Sequence, residues 1–271
     1  MPSDTAWATR ETAMWNSLIS LILPLILVLT LNAPASSPLW AAESTTQAER
    51  IAAQLKAAGR DQYDAIKDPG RKPSATMAFA GVKAGMTVLD LIAGGGYNTE
   101  ILAAAVGPQG LVYAQNSHLI PKLIGGEMHD AMLARLTGER LPNVRYLIVD
   151  AEDMPFEDHI DLAFWGLNMH DLYHRDGAAA VQDFLKHVRR ALKPQGILIV
   201  TEQVGIDGQD NAELHRLQTP IVLDMLEQAG FTVAAVSDLL ANPDDDHTRS
   251  VFADGLRYYT DRVLIRAVSN D

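Results

Sequence analysis

The sequence contains no cysteine. That excludes disulfides, thiolate metal centres, a cysteine nucleophile and a lipid-modified cysteine anchor, and it is compatible with an oxidising compartment without requiring one. Dense basic segments are also missing. The richest are residues 186–190 (KHVRR) and Arg71-Lys72, in a chain with 34 Asp and Glu against 22 Lys and Arg and a formal net charge of -12. An acidic surface of this kind repels phosphate backbones, so no nucleic-acid partner is expected. There is no internal repeat. Nor is there an apolar run of the roughly 20 residues that a membrane span requires. The longest, residues 18–31, is broken by Ser20, Pro24 and Thr30.

That run has the length of a signal-peptide core. Its n-region is poor, with Asp4, Arg10 and Glu11, and Met14 is an alternative start. Small residues follow at Ala33, Ala35, Ala41 and Ala42, with cleavage expected near Ala41 or Ala42. Residues 1–42 therefore read as an export signal or an uncleaved N-terminal anchor. Either way the rest of the chain lies outside the cytoplasmic membrane, in the periplasm, and touches the membrane only through that segment. Residues 43–84 read as a helical cap. Ile51, Leu55 and Ala58 form one helical stripe, residues 68–70 form a turn, and a short helix starts at Pro73. Arg60, Tyr63, Arg71 and Lys72 either form an exposed polar cap or close over the mouth of a site.

From residue 85 onward, strand and helix patterns alternate. Strands are expected at 87–92, 110–116, 144–149, 160–167, 196–202, 231–237 and 261–268. Helices are expected around Met128, Met132 and Leu136, at 177–192 and at 220–229. Such alternation gives an α/β, Rossmann-like, mostly parallel sheet with helices on both faces, whose ligands bind at the C-terminal strand ends.

The first strand runs into three glycines and then a helix, in residues 88–100 (VLDLIAGGGYNTE). Glycines admit positive φ and a close ligand, and the helix N-terminus offers unpaired N–H groups to a carboxylate or phosphate. A dinucleotide fingerprint beginning at Gly94 needs glycine at 99, where Thr99 stands; a nicotinamide oxidoreductase is accordingly disfavoured. The pattern acid-x-G-x-G-x-G fits at Asp90, Gly94 and Gly96 and fails at Ile92. Asp150-Ala151 follows the third strand. Residues 188–198 (VRRALKPQGIL) carry a helix-ending proline and a strand-opening glycine, with Gln195 in place of a second glycine.

Together these segments resemble the class I S-adenosylmethionine (SAM)-dependent methyltransferases, over about residues 60–268. Strings such as DPGRKP, NMHD and LHR are similar to a bacterial branch of that family whose members are often exported. The resemblance implies a seven-stranded sheet with its last strand antiparallel, and SAM as cofactor. It further implies SAM contacts at Asp90, Ala93, Gly94, Gly96, Asn116, Asp150, Ala151 and Asn168. In it, the acid expected at position 116 would take the ribose hydroxyls, and Asn116 stands there. Asp150 would take the adenine amino group.

The fourth strand ends in Asn168-Met169-His170-Asp171, where the reactive end of a ligand would lie. His170 can serve as general base for a hydroxyl or amine, with Asp171 orienting it. The spacing to His174 is similar to that of a zinc helix, but the acid is Asp and residues 175–177 read as loop, so no metal is expected. The loop 241–260 is long for a structureless connection. Asp244, Asp245, Asp246 and His247 form an acidic tip, and Arg249 with His215 and Arg216 could form an anion clamp. Two functional readings stay open: methyl transfer from SAM to a small molecule, or a non-catalytic or repurposed ligand-binding protein on the same fold.

Overall fold

The apolar runs assemble into one mixed sheet whose strand ends carry the glycine turn and the His170 segment. The computed structural model describes residues 39–57 and 60–270. Residues 1–38, with the apolar run 18–31, lie outside them. Four helices come first: α1 (Leu39–Ala57), α2 (Gln62–Ala65), α3 (Asp68–Arg71) and α4 (Pro73–Ala80). Then follow β1 (Thr87–Leu91), α5 (Tyr97–Val106), β2 (Leu111–Asn116), α6 (Glu127–Leu136), β3 (Val144–Ile148) and β4 (Ile160–Gly166). The second half runs α7 (Met169–Asp176), α8 (Ala178–Ala191), β5 (Leu192–Gly205), β6 (Leu217–Gln218), α9 (Thr219–Gln228), β7 (Phe231–Ser237) and β8 (Arg262–Ser269).

The sheet order is β3-β2-β1-β4-β5-β8-β7. β1 to β5 run parallel, and β8 inserts antiparallel between β5 and β7. This is the expected seven-stranded sheet with an antiparallel last strand. One addition was not anticipated: the two-residue β6 pairs with the end of β5.

Both faces of the sheet are covered, which is why β1 and β4 read as continuous apolar runs rather than alternating ones. Neighbouring residues on a strand enter opposite cores. Val88, Phe164 and Ile199 face one cluster, which contains Ile101 and Leu102 of α5. Leu89, Trp165 and Val200 face the other, where α8 supplies Val181, Leu185, Val188 and Ala191 at helical spacing. Ile51 and Leu55 of α1 and Met77 and Ala80 of α4 are buried in the first cluster, so the N-terminal helices are built into the main core.

One local reading changes and one stands. Residues 175–177, read as loop, are the end of α7, which stops at Gly177 with φ 84°. The loop 241–260 does lack helix and strand, as expected for a direct return into the β7–β8 hairpin.

Candidate active site

Beyond β1 the chain turns left-handed at Ile92, with φ 49°. For a β-branched residue that conformation costs about 1–3 kcal/mol and persists only where the surroundings fix it. Gln115, itself 1% exposed, supplies the fixing. The Ile92 N–H donates to its Oε1 at 3.0 Å, and its Nε2 donates to the Val149 carbonyl at 2.7 Å. Buried Gln115 on β2 thus ties the exits of β1 and β3 together. The Ile92 side chain packs against the core on the α8 side of the sheet. The elbow of a glycine turn is kept although the glycine is absent.

Gly94 has φ 56°, and a Cβ added there would meet only the Met128 sulfur, at 3.7 Å. Gly96, at φ 85°, is the N-cap of α5, which has no side-chain cap. An uncapped helix start beside an open glycine suits a carboxylate. Asp90 lies beneath, 1% exposed. One of its oxygens accepts the Thr99 hydroxyl at 2.6 Å, and the other is buried without a partner. Burial pushes the Asp90 carboxyl up to about 7. These features fit the amino-acid end of SAM: helix N–H groups for its carboxylate, and an under-satisfied acid nearby to favour its cationic groups. From the other side Arg135 of α6 clasps the turn. It donates to the Gly95 carbonyl at 3.1 Å and pairs with Glu100 and Asp64.

The ribose and adenine residues are less ready. Asn116 does not present its amide to a ligand. It is 0% exposed; its Oδ1 accepts the Gly94 N–H at 2.8 Å, and its Nδ2 donates to the Gly94 carbonyl and the Tyr146 hydroxyl. The ribose role carried over to Asn116 is therefore corrected to a brace under the glycine turn. Asp150 stays partly exposed at the end of β3. It accepts the His118 N–H at 3.1 Å, and its other oxygen lies 3.0 Å from the His118 ring. Ala151 follows it, and the Ala93 N–H donates to the Gln115 carbonyl. Asn168 donates to the Gly166 carbonyl at 2.6 Å and lies 3.4 Å from the Ile92 carbonyl, joining the exits of β4 and β1.

His170 sits in the first turn of α7 and is 4% exposed. Its Nδ1 is 2.7 Å from Glu202 Oε1 on β5, and its backbone N–H donates to Oε2 at 3.0 Å. Glu202 also accepts the Gln203 N–H. The buried carboxylate that orients the ring is therefore Glu202, which the sequence reading did not single out. Asp171, proposed for that role, lies 3.4 Å from Nε2, on the outer side. Burial lowers the His170 pKa, but the charges of Glu202 and Asp171 outweigh it and leave a net rise. His174 is not a partner of His170; its Nε2 lies 2.8 Å from the Arg216 carbonyl. His170, Asp171 and His215 instead bring their ligand atoms within 4.8 Å of one another, a set a divalent cation could use.

At the entrance, Tyr63 is exposed, Arg60 pairs with Asp68, and Lys72 donates to the Leu239 carbonyl. Arg71 turns inward, its guanidinium 4.4 Å from the Tyr97 ring. The anion clamp expected from Arg216 is not formed. Arg216 is fully buried against Asp245 at 2.9 Å and also donates to the Arg249 carbonyl. Asp245 therefore anchors the 241–260 loop, and His247 pairs with Asp261.

This strand order, with its glycine elbow and strand-end acids, is the methyltransferase variant of the Rossmann-like sheet. Solved structures share it. A SAM-dependent methyltransferase from Aquifex aeolicus superposes with a TM-score of 0.54 at 23% identity, covering 75% of this chain and 94% of that one. The [4+2]-cyclase SpnF gives 0.54 at 17%, covering 74% and 80%. At these identities the likeness is one of fold. By sequence, the methyltransferase domain family matches residues 89–200. The ubiquinone/menaquinone biosynthesis C-methyltransferase of Ectopseudomonas mendocina is 26% identical over 203 residues, 72% of this chain and 68% of that protein. Other curated relatives are spanned for about half their length, 47%. The chain carries a methyltransferase-domain match over residues 89–200 and is similar in sequence and fold to the class I SAM-dependent methyltransferases, which supports SAM as its cofactor.

Proposed function

We propose that this protein transfers the methyl group of SAM to a hydroxyl or amine of a small molecule, with His170 as general base. The observation that carries the reading is the Glu202–His170 pair at the end of β4, next to the strand whose exit forms the glycine elbow. When bound, SAM supplies an electrophilic methyl on a sulfonium. Gly94 and the uncapped start of α5 at Gly96 would hold its amino-acid end, and it would give up the methyl to the acceptor and depart as a neutral thioether. His170 Nε2 takes the acceptor proton, and Glu202 stabilises the imidazolium that results. Asn168 ties the β4 and β1 exits together, which would help set acceptor and methyl in line, the larger part of such catalysis.

The test is binding of S-adenosylhomocysteine (SAH) to the full chain. At a hundredfold excess over Kd it should stabilise the fold by about 2.7 kcal/mol, seen as a raised Tm. Gly94→Val, placing a branched side chain at a left-handed position, should abolish the rise. A folded wild-type protein indifferent to both SAM and SAH would favour a second reading, a repurposed binding protein on this fold. Asn116 lends that reading support, because its amide is already committed to the turn.

We further infer that the domain works outside the cytoplasmic membrane, delivered by residues 1–42. The support is the apolar run 18–31 with small residues after it.

A further inference from the structure

Between α4, α5 and the ends of β4, β5 and β8 lies a cavity of about 30 Å³, lined among others by Arg71, Tyr97, Asn98, Leu167, Thr201 and Arg262. It has room for about two waters, or for the two oxygens of one carboxylate. Its charge is out of balance. Asp68 takes Arg60 and the Tyr97 hydroxyl; Asp64 takes Lys67 and Arg135; Glu100 takes Arg135 and Arg140. Asp245 takes Arg216, and Asp261 lies against His247. Among the described residues, Arg71 and Arg262 make no ion pair.

Arg262 is 3% exposed and donates only to neutral oxygens, the Thr260 hydroxyl at 2.9 Å and the Gly70 carbonyl at 3.2 Å. Arg71 stacks on Tyr97, and its Nε is buried without a hydrogen-bond partner. Burial pulls both guanidinium pKa values down, and Arg71 adds its repulsion at Arg262, which falls to about 10. A half-buried and a buried cation side by side, with an orphaned buried donor, are costly unless an anion joins them.

We propose that Arg71 and Arg262 form a subsite for a carboxylate carried by the methyl acceptor. This rests on the methyltransferase reading and narrows its substrate to an acidic small molecule. The position separates this carboxylate from SAM's own. With the glycine turn after β1 and Asp150 after β3, the cofactor would lie along the exits of β1, β2 and β3. The cavity lies on the other side, past β4 and β5 to β8, three strands from β1 and so roughly 14 Å away at its far end. It still opens beside Asn98 and Leu167, each within two residues of the glycine turn or of Asn168. An acceptor held there by its acid would present its other end towards the methyl group. Planar paired N–H groups suit a carboxylate, and two arginines can grip both of its oxygens.

The experiment uses the full chain saturated with SAH, with acetate as the probe, exchanged for chloride at fixed ionic strength. The expected result is a saturable rise in Tm with acetate, no rise with the neutral twin acetamide, and affinity about tenfold or more weaker in Arg71→Met. Arg262→Met should behave alike. If it does not fold, Arg71→Met decides, since that side chain makes no hydrogen bond in the described structure and Met preserves an apolar stem against Tyr97. The affinity for SAH itself, measured by calorimetry, should be unchanged in Arg71→Met. Three outcomes overturn the proposal: SAH binding without any acetate response, an equal response to acetamide, or an Arg71→Met variant that loses SAH affinity by the same factor. The last would assign the pair to the cofactor's carboxylate. Failure of SAH to bind at all would strike the methyltransferase reading first.

Discussion

At the scale of single residues, the chemistry turns on how His170 is held. Its inner nitrogen faces a carboxylate that also receives two backbone N–H groups, so neither ring nor acid can turn away cheaply. The outer nitrogen is left to face Asp171 and His215. Because the net shift at His170 is upward from 6.5, the ring keeps its charge to a higher pH than a free imidazole, and a base is available only above its raised pKa. Methyl transfer should therefore climb with pH through that value. The sign for stability is opposite: the His170–Glu202 contribution is complete below about pH 6.5 and fades as pH rises through the folded value. An NMR titration of the imidazole should find wild-type His170 above 6.5 and Glu202→Gln lower. A wild-type value at or below 6.5 would remove Glu202 from its assigned role. His170→Ala should cost about 10²–10⁴ in rate. That His170 stood at a strand exit was legible in the sequence. Its partner was not, because Glu202 lies 32 residues on and only the pairing of β4 with β5 brings the two strand exits together. Asn116 was misjudged for a related reason. A polar side chain at a strand exit can turn outward to a ligand or inward to the chain, and only packing decides.

At the scale of elements, the glycine pattern is broken at two places, Ile92 and Gln195, and both keep left-handed backbone, with φ 49° and 60°. The resemblance rested on residue types, while the fold conserves the dihedral angle those types normally make cheap. Ile92 is half-buried against the core, so replacing it loses some packing while relieving strain. Ile92→Gly should leave stability within about 1 kcal/mol of wild type, the relief of roughly 1–3 kcal/mol offsetting lost contacts and added chain entropy. Leu91→Gly, one position earlier and 1% exposed, should cost several kcal/mol, on the order of other large core truncations. Urea unfolding of the two variants measures the contrast; equal losses would mean that the turn at 92 carries no strain. Strands, glycine turn and most helices were readable because their periodicities are strong. α7 was not read as a helix, because Arg175 and Asp176 look like loop residues until Gly177 closes the turn. β6 has only two residues, too few to carry any pattern.

For the whole molecule, the open question is where it works. The described residues include no helix long and apolar enough to cross a membrane, and the proposed export rests on residues 1–42. A fusion of those residues to a reporter that is active only outside the cytoplasm should be active; activity confined to the cytoplasm would refute the export proposal. The overall architecture was legible because alternating strands and helices admit few topologies. The acceptor cavity was not, because its two arginines are nearly two hundred residues apart in the chain. Arg262 reaches back to the Gly70 carbonyl, and a Cβ on Gly70 would lie 2.0 Å from the Tyr258 carbonyl oxygen. The turn before Arg71 and the approach to β8 are thus fastened to each other. As the nascent chain leaves the ribosome, strands β1 to β3 are complete by residue 148 and the braces of the elbow by residue 168, while the arginine pocket has no second cation until residue 262 emerges. A product terminated before that point would keep the elbow and His170 but lack the Arg262 half of the proposed carboxylate subsite.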